Sequence, residues 1–306
     1  WPRGSEPTCG GDSMPGRNPH SILEESIKEL YGGSVPGDIP KRWEKFSDVA
    51  IFPQGSFEGD EWSSDEALWE VVADALGANR VARMGEVSGE FRKPSVELLL
   101  GDTDWVVRKE NGISYGYSMQ SQMFSKGNFP ERERMGEVVQ EGEVVVDLFA
   151  GIGYYSIPAL VHGGAGVVHS CEWNPDALTA LRWNLEKNGV EDRCVIHPGD
   201  CRITTESLAG VADRVFLGLL PSSEVGLVPA LRVLSPSGGT LHVHGAPPGD
   251  LDSWVEGLFS SIRSLRPGSE LSHTLVRVKS YKPHVWHVVA DILVAELKRC
   301  DTSAQS

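Results

Sequence analysis

The 306-residue sequence has no apolar run near the roughly 20 residues that a membrane-spanning helix needs. Its opening stretch, WPRGSEPTCGGDSMPGRNP, lacks the hydrophobic centre of a signal peptide. Cysteine is scarce as well: Cys9, Cys171, Cys194, Cys201 and Cys300 form no CxxC pair and no dense, even pattern, which excludes a disulfide scaffold and leaves reduced thiols. A cytoplasmic setting is the expectation. No metal is expected either, because His242 and His244 alternate on an apparent strand without nearby cysteine or carboxylate partners, a pattern of packing. Positive charge is short: 28 Lys and Arg stand against 43 Asp and Glu, a net charge of −15. A protein that grips nucleic acid usually carries a basic face, so any such partner must be met by a local patch.

What is present is an ordinary globular composition, 40% hydrophobic and 23% charged, enough chain for one large domain and a smaller one. Residues 1–20 are rich in Gly, Pro and Ser and are expected to be disordered, as is the tail 301–306, DTSAQS. Residues 21–133 read as a small α+β domain. SILEESIKELYGG predicts a helix stopped by its Gly-Gly pair, DEALWEVVADALG a second helix, and VAIFP and VELLLG strands. Asn111-Gly112, between the alternating runs of WVVRKENGISYGYSM, signals a hairpin.

The texture changes from 134 to 300. VVVDLFA is an apolar run ending at a carboxylate, as a parallel strand buried on both faces requires; GVVHSCEW reads as a second buried strand, and RCVIHPGD, DRVFLGLLP and GGTLHVHG as three further strands. Between and after them lie helical segments: YYSIPALVHGG, a helix opened by Asn174-Pro175 and stopped at Asn188-Gly189, and stretches near Val225–Leu234 and Leu251–Leu265. LSHTLVRVKSY and VWHVVADILVAEL alternate and predict an antiparallel pair at the sheet edge. The alternation implies a doubly wound α/β fold.

In such a sheet the ligand lies beyond the carboxyl ends of the strands. Those ends carry Asp147 with the loop Ala150-Gly151-Ile152-Gly153, then Glu172, then Asp200, then Gly218-Leu219-Leu220-Pro221. Glu172 stands 21 residues beyond Gly151, where an acidic side chain accepts both hydroxyls of a ribose. Asp200 is placed to accept from an adenine amino group. Two carboxylates suit a nucleoside but oppose a pyrophosphate, and Ser156 occupies the third glycine position of the dinucleotide fingerprint. Both departures favour S-adenosylmethionine over NAD.

VVDLFAGIGYYSIPAL, CEWNPDALTALRWNLEKNGVEDRCVIHPGDCR and LGLLPSSE resemble the class I S-adenosylmethionine domain of the wybutosine-synthesis aminocarboxypropyltransferases, relatives of the tRNA guanine-N1 methyltransferases. The resemblance continues through DIPKRWEKFSDVAIFP, NGISYGYSMQSQMFSKGNFPERER and VKSYKPHVWHVVADI, covering roughly Asp38 to Leu297. It implies a Rossmann-like class I S-adenosylmethionine-dependent transferase sheet behind a smaller N-terminal α+β domain, with S-adenosylmethionine as co-substrate. By position it implies cofactor contacts at Ser125, Arg132, Glu172 and the pair Asp200-Cys201, beside the loop glycines Gly151 and Gly153. Glu131 matches the general-base position of the methylating relatives. Asp147 is a candidate for the methionine ammonium or for shaping the loop.

Methylating relatives carry an Asn-Leu-Pro type segment after the fourth strand and an Arg in the loop that reads SKGN here. This chain has Gly218-Leu219-Leu220-Pro221 and Gly127, as the aminocarboxypropyl branch does. The resemblance therefore implies transfer of the 3-amino-3-carboxypropyl group to C7 of 4-demethylwyosine in phenylalanine tRNA, beside the anticodon, with release of methylthioadenosine. A guanine-N1 methyltransferase is the alternative, and a nucleoside-binding protein without catalysis is a third. Methylating relatives also carry an extra N-terminal module that nothing here resembles. For the tRNA, two basic groups offer themselves: Arg263, Arg266, Arg277, Lys279 and Lys282, and Lys41, Arg42 and Lys45, with Trp43, Tyr281 and Trp286 available to stack on a base. The sequence does not set the oligomeric state; a monomer is the simplest expectation.

Overall fold

The computed structural model describes residues 18–59, 61–62, 66–88, 93–122 and 124–296. Of the start expected to be disordered, residues 1–17 lie outside the described residues, as do the tail, Cys9 and Cys300; Asn18, Pro19 and His20, also expected to be disordered, instead cap and open a helix. The chain forms two compact units: Trp1–Arg108 with Ser118–Met123, and Lys109–Tyr117 with Phe124–Ser306. Sequence texture puts residues 109–117 and 124–133 with the smaller unit, whereas contacts group them with the larger. Ser114 N and Gly116 N donate to Asn188 and Asn184 of the larger unit, and Arg132 pairs with Glu110.

In the smaller unit, helix α1 (Pro19–Leu30) opens with proline at its first position and an Asn18 Oδ1 that accepts from His20 N at 3.1 Å. Strands β1 (Glu44–Phe46), β2 (Val49–Phe52), β3 (Arg80–Ser88) and β4 (Lys93–Leu100) form a sheet in that order, parallel only between β2 and β3. Helix α2 (Glu66–Leu76) and α1 supply Leu23, Ile27, Leu68 and Val72 to a core completed by Phe52, Phe57 and Trp69. Two residues of the expected RNA patch are used here instead. Lys45 Nζ donates to the carbonyls of Leu76 (2.9 Å) and Gly77 (2.6 Å), closing the end of α2, and the Trp43 ring packs 6.1 Å from Phe52.

The expected hairpin is β5 (Trp105–Glu110) and β6 (Ile113–Ser118). Its turn needs two residues of positive φ, and Asn111 (47°) and Gly112 (76°) provide them. Helix α3 (Phe129–Val138) follows. The large sheet then forms from β7 (Val144–Asp147), β8 (Val167–Glu172), β9 (Cys194–Pro198), β10 (Arg214–Leu217), β11 (Gly238–Gly245), β12 (Ser269–Lys282) and β13 (Val285–Glu296). Its order is β12-β13-β11-β10-β7-β8-β9, parallel from β11 to β9, with β13 antiparallel to both neighbours. This is the doubly wound, Rossmann-like class I sheet, and its order reverses at β7, which opens the ligand crevice at that strand's end.

Helices α4 (Ser156–Val161), α5 (Pro175–Lys187), α6 (Cys201–Thr204), α7 (Leu227–Val233) and α8 (Leu251–Leu265) connect the strands. Asn174 caps α5, accepting from Asp176 N at 3.0 Å, and Gly189 (φ 64°) follows its end. Helix α4 begins two residues later than YYSIPALVHGG predicts, because Tyr154 and Tyr155 are still completing the turn set by the positive φ of Gly151 and Gly153. No helix among the described residues is long and apolar enough to cross a membrane.

Candidate cofactor and catalytic site

The loop after β7 is built from two glycines that no other residue replaces without strain. Gly151 and Gly153 have φ of 57° and 95°, and a Cβ on Gly153 would stand 2.7 Å from Ile157 Cδ1 and 2.9 Å from Leu181 Cδ1. The loop therefore lies close on α4 and α5. Asn184 of α5, fully buried, fixes it further: its Nδ2 donates to the carbonyl of Ile152 at 2.9 Å and its Oδ1 accepts from Gly116 N of β6 at 2.6 Å. Sequence reasoning missed this residue, though a polar side chain three positions after the buried Leu181 was a visible signal.

Asp147 is completely covered at the end of β7. Ser156 Oγ donates to it at 2.8 Å and Phe149 N at 3.3 Å, and Ser156 Oγ also meets Ser170 Oγ at 2.8 Å. Burial raises its carboxyl to about 7, against the lowering effect of those bonds. The serine that breaks the dinucleotide fingerprint thus supports the loop from below.

Glu172 ends β8 and turns its carboxylate back on the loop. It accepts from Gly151 N at 2.7 Å, Trp173 N at 2.9 Å and Asn174 N at 2.7 Å. Burial raises its pKa even against these three donors. An anion already holds the loop amide, so a pyrophosphate there would meet like charge. Asp200, at the end of β9, caps α6 by accepting from Arg202 N at 2.9 Å and pairs with the Arg202 guanidinium, which lowers its pKa. Its carboxylate is thus shared with Arg202 in this structure. Neighbouring Cys201 is a buried free thiol, pushed up to about 11 by burial.

Ser125 and Arg132 meet in front of a cluster of aromatic rings. Arg132, 3% exposed, donates from Nη1 to the Ser125 carbonyl at 3.1 Å and from Nε to Glu110 at 2.5 Å, and its guanidinium lies 4.7 Å from the Phe124 ring. Its Nη2 is buried without a partner. Lys279 of β12, which the sequence reading grouped with RNA-binding cations, donates to Ser125 Oγ at 2.5 Å. After β10, a Cβ on Gly218 would stand 2.8 Å from Tyr155 Cε2, so the glycine makes room for that ring.

Glu131 is not open to a substrate. It is 1% exposed, and its two oxygens accept from Arg134 at 2.7 and 2.9 Å. Arg134 also donates to Asp291 at 2.5 Å, and His242 Nδ1 donates to Asp291 at 2.6 Å. Because Arg214 Nη1 sits 2.7 Å from His242 Nε2 and can only donate, His242 is neutral with its proton on Nδ1. Its lowered pKa, driven by burial, agrees. Arg214 in turn pairs with Glu143 at 2.8 and 2.9 Å. The expected base position is therefore one end of a buried chain of alternating charges joining α3 to β13, β11 and β10. Arg134, three residues on, makes one hydrogen bond to each oxygen of Glu131.

Of the proposed RNA cations, Arg266 is spent on the carbonyls of Ser235 (3.0 Å) and Pro236. Arg277 lies 5.8 Å from the ring of Trp286, which is 45% exposed.

Residues 106–254 match the TRM5/TYW2 methyltransferase domain and residues 22–104 the TYW2 N-terminal domain. The tRNA wybutosine-synthesizing protein 2 homolog of Danio rerio is 40% identical over 311 residues, covering 89% of this chain and 76% of that protein. The solved P. horikoshii TYW2 in complex with MeSAdo is 31% identical, with a TM-score of 0.70 over 89% of this chain and 99% of its own. M. jannaschii TYW2 in complex with AdoMet is 26% identical, with a TM-score of 0.66 over 84% of this chain and 100% of its own. The chain spans only 26% of the matched Arabidopsis thaliana protein and 49% of the Bos taurus one. On the strength of both domain matches and of the Danio rerio and P. horikoshii relatives, aligned over 76% and 99% of their own length, the chain belongs to the tRNA wybutosine-synthesizing protein 2 family.

Proposed function

We propose that this chain transfers the 3-amino-3-carboxypropyl group of S-adenosylmethionine to C7 of 4-demethylwyosine, beside the anticodon of phenylalanine tRNA, and releases methylthioadenosine. The observation that carries the reading is the closure of Glu172 on the Gly151 amide at 2.7 Å. It leaves a loop suited to a nucleoside with a cationic sulfur and hostile to a pyrophosphate. The orphaned, buried Nη2 of Arg132 adds a donor that wants an anion, as the carboxylate of a methionine arm would be. MeSAdo, the ligand of the P. horikoshii relative, is the nucleoside that remains when the aminocarboxypropyl group departs, and this supports that branch over methyl transfer.

When bound, S-adenosylmethionine brings a carbon already activated by a sulfonium leaving group, so the protein's task is orientation. Glu172 is assigned to the ribose hydroxyls, Asp200 and Cys201 to the adenine side, and Ser125 with Arg132 to the carboxylate. Gly151 and Gly153 let the backbone approach, and Asp147 with Ser156 keeps the loop in shape. We assign Glu131 to holding α3 through Arg134 and not to taking the C7 proton. On the RNA side, Arg277 and Trp286 are the pair we assign to an unpaired base, and the net charge of −15 implies weak, salt-sensitive tRNA affinity. Catalysis is assigned to the unit that carries the large sheet, and the work to the cytoplasm.

Incubation with hypomodified phenylalanine tRNA and either carboxyl-labelled or methyl-labelled S-adenosylmethionine tests the reading. Carboxyl label in the tRNA with methylthioadenosine released is the expected outcome. Methyl label in the tRNA would replace it with methyl transfer, and binding without transfer of either label would end the claim of catalysis.

A further inference from the structure

We propose that Lys279 is a second cation for the carboxylate of the aminocarboxypropyl arm, reaching from the edge strand β12 across Gly127 to Ser125. The inference deepens the function proposed above and rests on it.

Three observations converge. Strand β12 is irregular on both sides of this residue, its register with β13 shifting between Arg277 and Lys279 and again between Ser280 and Lys282. Such irregularities re-aim side chains. Second, the side chain lies over Gly127: a Cβ there would stand 2.9 Å from Lys279 Cδ and 3.6 Å from its Nζ. Glycine at 127 is what leaves the path open. Third, the ammonium ends on Ser125 Oγ at 2.5 Å, while Arg132 Nη1 holds the carbonyl of the same residue at 3.1 Å.

Two cations therefore converge on Ser125. Glu110 pairs with Arg132 at 2.5 Å, and the buried Arg132 Nη2 has no partner. That combination fits one carboxylate, with a donor on each side of it. His287, opposite Lys279 on β13, adds no further cation there, since burial and the Lys279 charge lower its pKa to about 4. Fixing the carboxylate at this end would set which carbon of the sulfonium points toward the acceptor, making Lys279 a residue of specificity as well as affinity.

Calorimetric affinities for S-adenosylmethionine and for methylthioadenosine, which lacks the carboxylate, test the idea on the full chain. Lys279→Met keeps the stem and removes the charge. It should weaken S-adenosylmethionine by roughly 10- to 100-fold, the worth of a charge-assisted hydrogen bond, and leave methylthioadenosine unchanged. Gly127→Ala, which displaces only the lysine's end, should cause a smaller loss in the same direction and keeps the question answerable if Lys279→Met fails to fold. Equal loss for both ligands, or none for either, would overturn the proposal. So would weaker tRNA retention with an unchanged ligand ratio, which would give Lys279 to an RNA phosphate. If wild type binds S-adenosylmethionine and the variants keep the ratio, only this inference falls. If wild type does not bind it, the functional reading falls and takes the inference with it.

Discussion

Asp147 and Asp291 lie on one sheet, yet their surroundings drive them in opposite directions. Asp147 ends the central strand β7 and is met only by neutral donors, Ser156 Oγ and the Phe149 amide. Its carboxyl rises to about 7 because burial outweighs those bonds. Asp291 sits on β13 opposite His242, also under a burial penalty, but its bonds from His242 and Arg134 overcome that penalty and hold it at about 2. Fully covered and met by a hydroxyl, Asp147 is pushed up; 19% exposed and met by a guanidinium, Asp291 is held down. The first arrangement braces a loop through hydroxyl and amide donors, and the second ties a helix to a sheet edge.

Breaking the ionic side of this contrast should have the largest effect. Arg134→Leu leaves both Glu131 and Asp291 buried without their shared partner, and a loss of about 3–5 kcal/mol in denaturant unfolding is expected. A loss below about 1 kcal/mol would show that the chain of charges does not hold α3.

The pH dependence separates the two aspartates next. Asp147 has a folded pKa above that of the unfolded chain, so its contribution is fully present below about pH 4 and is lost as pH rises through about 7. Asp147→Asn should therefore gain on wild type between pH 4 and 8, by up to ~4 kcal/mol for a shift of this size. Asp291 has the reverse sign: its contribution is present above about pH 4 and fades as pH falls toward 2. Asp291→Asn should show its pH-dependent difference only in that acid window. Parallel stability profiles for the two variants would erase the comparison.

Glu172 sharpens it at the smallest scale. Its pKa is raised by burial, as for Asp147, but its donors are backbone amides beside the crevice. Glu172→Ala is expected to weaken S-adenosylmethionine binding by roughly 10- to 100-fold in calorimetry. An unchanged affinity would remove Glu172 from the ribose.

Much of the fold was legible because its causes are local. A parallel strand buried on both faces reads as an apolar run, as Val144–Val146 does before Asp147 ends the strand. Asn111-Gly112 is among the few pairs that tolerate two positive φ values. Asn174-Pro175 caps and starts a helix with its own atoms. The strand-end residues Asp147, Glu172 and Asp200 were legible for the same reason, since the end of a strand is a sequence feature. Their partners were not. Nothing in FPERER indicates that Arg134 has Glu131 and Asp291 as its two neighbours, and nothing in GDCR that Arg202 pairs with Asp200.

The sequence by itself determined the α/β alternation, the glycine loop, the carboxylates at the strand ends and the family. Each depends on residues within a turn or two of one another or on motifs read in order. Only the tertiary structure decided which charges meet: Arg134 with Asp291 across 157 residues, and Lys279 with Ser125 across 154. Those pairings depend on the order of strands in the sheet and on two irregularities in β12. A linear pattern carries neither, because strand order and bulges arise from packing the whole chain at once.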